Sequence, residues 1–149
     1  NTTAASNSMS ATAPTSSVLY SSVTSSATAV FYAFAEIAGF SKFGSYKGNG
    51  NANGTYVYTG FRPAWTMIKR TDSTNSWIIS DSKISPINLI DDYLAADLAQ
   101  AEATTSAVGI DFLSNGFKIR NNANAMNNSS GTYFYMAFAK FPFKYANAR

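Results

Sequence analysis

Whatever chemistry this chain can do rests on its carboxylates and its aromatic rings. Six of the eight acidic residues fall between Asp81 and Asp111: Asp81, Asp91, Asp92, Asp97, Glu102 and Asp111. Carboxylates and amide carbonyls are the oxygen ligands that calcium prefers. Asp81, Asp91, Asp92 and Asp111 are therefore candidates for a calcium site, and calcium is the one cofactor the residues bring into view. Their spacing follows no EF-hand pattern, and the competing reading is that Asp91 and Asp92 cap a helix while the others are solvated. A pair of carboxylates can hydrolyse a glycoside, but nothing singles out such a pair here. The chain has no histidine and no cysteine. Their absence removes the commonest general base, the usual zinc ligands, the Ser-His-Asp arrangement and any disulfide. The expectation is a protein without catalytic residues and without a bound transition metal.

Aromatic residues make up 15% of the sequence, which is high enough to ask what they do outside a core. A tyrosine or tryptophan can stack on the apolar C–H face of a sugar ring while its polar rim stays wet. Phe31, Phe34, Trp65, Phe117, Phe134 and Phe138 alternate as core residues do. Tyr46, Tyr56, Tyr58 and Tyr145 lie near loops and are the candidates for a glycan or protein contact, with core or subunit packing as the alternative.

The elements that must position these residues are β-strands. Residues 55–59 and 64–70 alternate, residues 76–80 return as a hairpin partner, and residues 107–113, 116–120 and 132–139 supply the closing strands. The Gly- and Asn-rich run from residue 39 to 54 reads as a turn or wide loop. Residues 86–100 are the one helical candidate, with Leu89, Tyr93, Leu94 and Leu98 near helical spacing. Short strands with frequent turns predict an all-β fold, an antiparallel β-sandwich with one short helix. Residues 1–26 are uncharged and rich in Ser, Thr and Ala. They read as an extended arm before a sandwich domain at 27–149, an arm that needs a neighbouring subunit's sheet edge to order it.

Two segments echo each other: SSATAVFYAFAEIAGF at residues 25–40 and SSGTYFYMAFAKFPFK at 129–144. The echo predicts that residues 28–36 and 132–140 are both strands, burying Phe34 and Phe138. Charged residues are only 13% of the chain, which suits an extracellular or particle-bound β protein. The net charge of +3 comes without basic runs between aromatics, so no nucleic-acid partner is indicated. No stretch reaches the roughly 18 apolar residues of a membrane span.

GFSKFGSYKGNGNANGTYVYTGFRPAWTMIKRTDSTNSWIISDS at residues 39–82, IDFLSNGFKIR at 110–120 and SGTYFYMAFAKFPFK at 130–144 together resemble a module that recurs in virion proteins of marine tailed bacteriophages, tail-fibre-like proteins among them. That module is similar to concanavalin-like sandwiches, the architecture of laminin-G-type and legume-lectin domains. The resemblance implies a jelly-roll-like pair of sheets and a virion location. It also implies a structural or adhesion role, as a fibre or capsid-decoration subunit acting by multivalent attachment. The partners it implies are other copies of the chain and other virion proteins. A lectin-type module binding host-surface polysaccharide is the alternative. In this chain the Ser/Ala/Thr-rich start stands where the resemblance would place a complete upstream module.

Overall fold

Alternation at 55–59 and 64–70 does become strand. The computed structural model describes Thr15 and residues 32–141. The chain divides into two compact units, Thr2–Phe34 and Ala35–Arg149, and the sheets belong to the second. The strands are β1 (Ser41–Lys47), β2 (Tyr56–Tyr58), β3 (Pro63–Arg70), β4 (Ile78–Asp81), β5 (Asp92–Ala95), β6 (Ala103–Thr104), β7 (Ile110–Leu113), β8 (Gly116–Ile119) and β9 (Thr132–Ala139). They form an antiparallel sheet of six, ordered β1-β9-β3-β4-β5-β6, and one of three, ordered β2-β8-β7. The fold is mostly β, with no α-helix among the described residues, and is consistent with a β-sandwich.

The core lies where inward side chains of the two sheets meet. Tyr46, Ile68, Tyr133 and Tyr135 from the larger sheet cluster with Val57, Ile110, Phe112 and Phe117 from the smaller one. Phe117 is the hinge of this contact, edge-on to Tyr46 at 6.3 Å and to Tyr135 at 5.4 Å between ring centroids. Burial of this apolar surface is the main favourable term in folding.

The echo misleads in both of its copies. Residues 132–139 are a strand, but Phe138 pairs with Ser41 and Trp65 on the face that alternates away from Tyr133, Tyr135 and Ala137. There it meets Phe40, Phe43 and Trp65. Phe134 and Trp65 share that side, so of the expected core phenylalanines and tryptophan that are described only Phe117 belongs to the core cluster, and Phe31 lies outside the described residues. In the first copy, residues 32–36 form no strand and Phe34 is 56% exposed, while residues 28–31 lie outside the described residues, as does the arm at 1–26 apart from Thr15. The strand begins after a turn instead. Ile37 N–H donates to the Ser41 hydroxyl at 3.1 Å, and that hydroxyl donates to the Ala35 carbonyl at 2.8 Å. The chain then enters β1, whose seven residues had read as loop. Gly44 within that run masked its alternation.

The helix expected at residues 86–100 is instead a bent segment, the bridge at Ile90, strand β5 and a turn in which Leu98 N–H donates to the Ala95 carbonyl. Its buried apolar residues are Ile90 and Ala95, not the Leu89–Tyr93 stripe. Asn88 acts as a surrogate ladder, its side chain accepting from Phe112 N–H at 3.0 Å and donating to the Phe112 carbonyl at 3.2 Å. Ile90 continues as a bridge to Ile110. These contacts draw the segment along β7 rather than into a helical turn.

The two Asn-rich loops lock together. Asn127 is fully buried. Its amide nitrogen lies 2.8 Å from the Asn49 side-chain oxygen, the Asn51 carbonyl and the Asn121 carbonyl, and its oxygen accepts from Asn49 N–H at 3.0 Å. Gly48 must pass beside this knot, where an added Cβ would stand 2.2 Å from the Asn128 carbonyl.

Candidate functional site

β2 is an edge strand of the smaller sheet, and its three residues alternate cleanly. Val57 points into the core, while Tyr56 and Tyr58 point out, 42% and 63% exposed. Tyr56 sits in register with Lys118, which is in turn paired with Asp111. The Tyr56 hydroxyl donates to the Asn115 side-chain oxygen at 2.8 Å. Its ring lies over Gly116, where a Cβ would be 3.1 Å from the ring edge and 2.1 Å from the Val57 carbonyl. That glycine is required by close approach. Desolvation first, and the neighbouring Tyr58 second, raise the Tyr56 hydroxyl above its ordinary pKa. Asp111 is paired with Arg120 at 3.3 Å, so the rim beside the tyrosines is charged. The surface offers ring faces, an amide and an ion pair, and no acid–base couple.

The other two tyrosine candidates are not part of this surface. Tyr46 is a core residue: it stacks on Tyr133 at 5.0 Å, donates to the Met126 carbonyl at 2.7 Å, and burial pushes its hydroxyl well above the usual phenol range. It lies on the inward side of β1, whose strand character was hidden in the sequence. Tyr145 lies outside the described residues.

The acidic residues are dispersed. Asp81 accepts from Lys83 N–H at 2.7 Å, Asp111 pairs with Arg120, and Asp91 uses its backbone carbonyl to hold Thr105. Among the described residues no group of three or more acidic, histidine or cysteine side chains is placed to hold a metal ion. Asp92 instead ties β5 to its flanks, accepting from Ser85 at 2.6 Å and Thr104 at 2.5 Å. These two hydroxyls, Ser85 first, hold its carboxyl below the usual carboxylate range. A carboxyl depressed in the folded state stabilises above its unfolded pKa and loses that contribution as pH falls through the folded value. The expected result is that Asp92→Asn lowers the melting temperature slightly at pH 6. The gap to the parent chain should then narrow as the pH is taken below the ordinary carboxylate range.

A second feature had no counterpart in the sequence reading. A cleft of about 260 Å³ opens between β4–β5 and the short 3-10 turn Ser106–Val108. Ile78 and Tyr93 contribute to its lining, Asn75, Ser76 and Gln100 stand among its polar residues, and among the described residues no charged one lines it.

A family model matches residues 1–142 of the chain. The chain belongs to the DUF7483 family, a domain of unknown function. No curated protein and no solved structure matches it. The DUF7483 match takes in both the Tyr56–Tyr58 surface and the cleft, and ends before Tyr145. Within the DUF7483 domain the cleft residues are scattered over five segments, and none carries a motif. The one local signal was the uncharged polar run at residues 73–76, which includes Asn75 and Ser76.

Proposed function

We propose that this chain is a non-enzymatic structural and adhesion subunit of a bacteriophage particle. In this reading it is a concanavalin-like, jelly-roll sandwich that works as a fibre or capsid-decoration component among copies of itself. The observation that carries the reading is the exposed pair Tyr56 and Tyr58 on one outer strand. Large aromatic rings that the core does not use suit a contact surface, because they offer broad area at low conformational-entropy cost. One such contact is weak, and display in many copies raises avidity by about 10²–10⁴ without any new contact. The likeness of residues 39–82 and 110–120 to modules of marine tailed-phage virion proteins supports placing the chain in a particle.

The test is retention on a panel of marine bacterial cells, with the full chain displayed on a multimeric scaffold. The multimer should be retained at least ~100-fold better than the single chain. Tyr56→Ala combined with Tyr58→Ala should remove at least ~10-fold of that retention. Equal retention of parent and double variant would sink the reading.

A lectin-type module is the second reading. The uncharged cleft beside β5 favours it, since neutral amides and hydroxyls around an apolar floor suit a polyol.

A further inference from the structure

We propose that the cleft between β5 and the Ser106–Val108 turn is a subsite for one neutral sugar ring. The inference rests on the lectin-type reading and gives it a site and a ligand class.

Three observations converge. The first is charge. Among the described residues no carboxylate, ammonium or guanidinium group lines the cleft, although Lys118, Asp111 and Arg120 crowd the tyrosine surface on the other sheet. An anionic sugar or a phosphate would find no counter-charge here, whereas a neutral polyol needs none.

The second is uncommitted hydrogen-bonding capacity. Asn75 spends its backbone carbonyl on Lys69, but its side-chain amide makes no hydrogen bond among the described residues. The same holds for the Ser76 hydroxyl, the Tyr93 hydroxyl and the Gln100 amide. Elsewhere this protein commits its asparagines heavily, as the knot around Asn127 shows. Amides and hydroxyls each donate and accept, which matches sugar hydroxyls that do the same. None of the four is a buried orphan, since the only buried unpartnered polar atoms among the described residues are on Arg62 and Thr66. They are open to a ligand and cost nothing when it is absent.

The third is shape. Ile78 and the half-buried Tyr93 give the cleft apolar surface against which the C–H face of a ring can lie. A volume of about 260 Å³ falls below the roughly 300–1,000 Å³ of pockets for drug-sized ligands. It suits one ring rather than an enclosed oligosaccharide. Leu98, half exposed at the margin, offers a contact for whatever the ring is attached to.

The experiment is amide shift mapping of the full chain with a panel of methyl glycosides. Methyl glucoside, galactoside, mannoside and N-acetylglucosaminide form the neutral arm, and glucuronic acid with sialic acid forms the anionic arm. At least one neutral member should give saturable shifts at Tyr93, Ala95 and Ala107, with a Kd of about 1–10 mM as expected for so small a ligand. Ala107→Trp places a large ring into the cleft from an exposed position and should weaken binding by at least about tenfold. Gln100→Ala removes one exposed amide without touching the core and should weaken it about three- to tenfold. Tyr56→Ala with Tyr58→Ala should leave the shifts unchanged.

Shifts confined to the Tyr56–Tyr58 surface would overturn the cleft assignment while keeping the lectin reading. Equal binding of the anionic arm would overturn the ligand class. With no neutral sugar bound at tens of millimolar, the cleft proposal fails. Retention of the displayed multimer on immobilised bacterial polysaccharide then decides the wider reading: retention that Ala107→Trp leaves intact spares it, and no retention removes it as well.

Discussion

Tyr133→Ala is expected to destabilise the fold by about 5 kcal/mol. The ring has no exposed surface and stacks on Tyr46 at 5.0 Å. Emptying a site of this size in a core costs about 3–5 kcal/mol. The hydroxyl adds to that, because it accepts from Asn128 N–H at 2.7 Å and donates to the Asn124 carbonyl at 2.8 Å. Losing it leaves a loop donor and a loop acceptor without their partner, at about 1–3 kcal/mol. Tyr133→Phe separates the two parts: it keeps the ring, loses the bonds, and should cost about 1–2 kcal/mol. Urea unfolding with a constant denaturant slope measures both. A loss below about 2 kcal/mol for the alanine variant would mean that the Asn-rich loop and the core are not joined through this residue.

Asn127→Ala should come next, at about 3 kcal/mol, although it removes no apolar surface. One amide nitrogen serves three oxygens at 2.8 Å with only two hydrogens, so one is shared, and its oxygen holds Asn49 N–H. Networks of this kind are worth more than their separate bonds because each bond polarises the next. The damage should be local as well as global. Hydrogen exchange at Asn49 and Asn51 should accelerate strongly, while exchange in β3 tracks only the overall loss of stability. Unchanged exchange at Asn49 would show that the loop holds its shape without the knot.

How much of this was legible depended on whether one face of a strand differed from the other. Around Tyr56–Tyr58, Trp65 and Phe117 the alternation was clear, and those strands were readable. In β9 it was not: TYFYMAFA puts large apolar side chains on both faces, so the pattern announced a strand but not which side met the core. Phe138 was assigned inward for that reason, and Tyr133 and Tyr135 were missed. In β1 the glycine at 44 and the loop-like run after it hid the period, which moved Tyr46 from core to candidate site. The segment from Pro86 failed differently. Its apparent helical spacing is real, but Asn88 makes a long-range bond to Phe112, and Asp92 binds Ser85 and Thr104 on its flanks, contacts that the apolar period does not register. The cleft is the extreme case, since its polar residues meet only because the chain before β4, β5, the segment after it and the 3-10 turn converge.

The strand order has a consequence for synthesis. β9 lies between β1 and β3 and, among the described residues, is the only strand that β1 pairs with, although roughly ninety residues separate them along the chain. On the ribosome β1 is made before β9, so the edge it shares with β9 waits unpaired, and the slot beside β3 stays vacant until β9 is made. The larger sheet therefore cannot be built in the order of translation. It closes only when β9 arrives as a keystone, and long-range closure of this kind is slow. A nascent chain stalled before Thr132 would carry two unsatisfied strand edges at once, the condition under which copies made side by side pair with each other instead of with themselves.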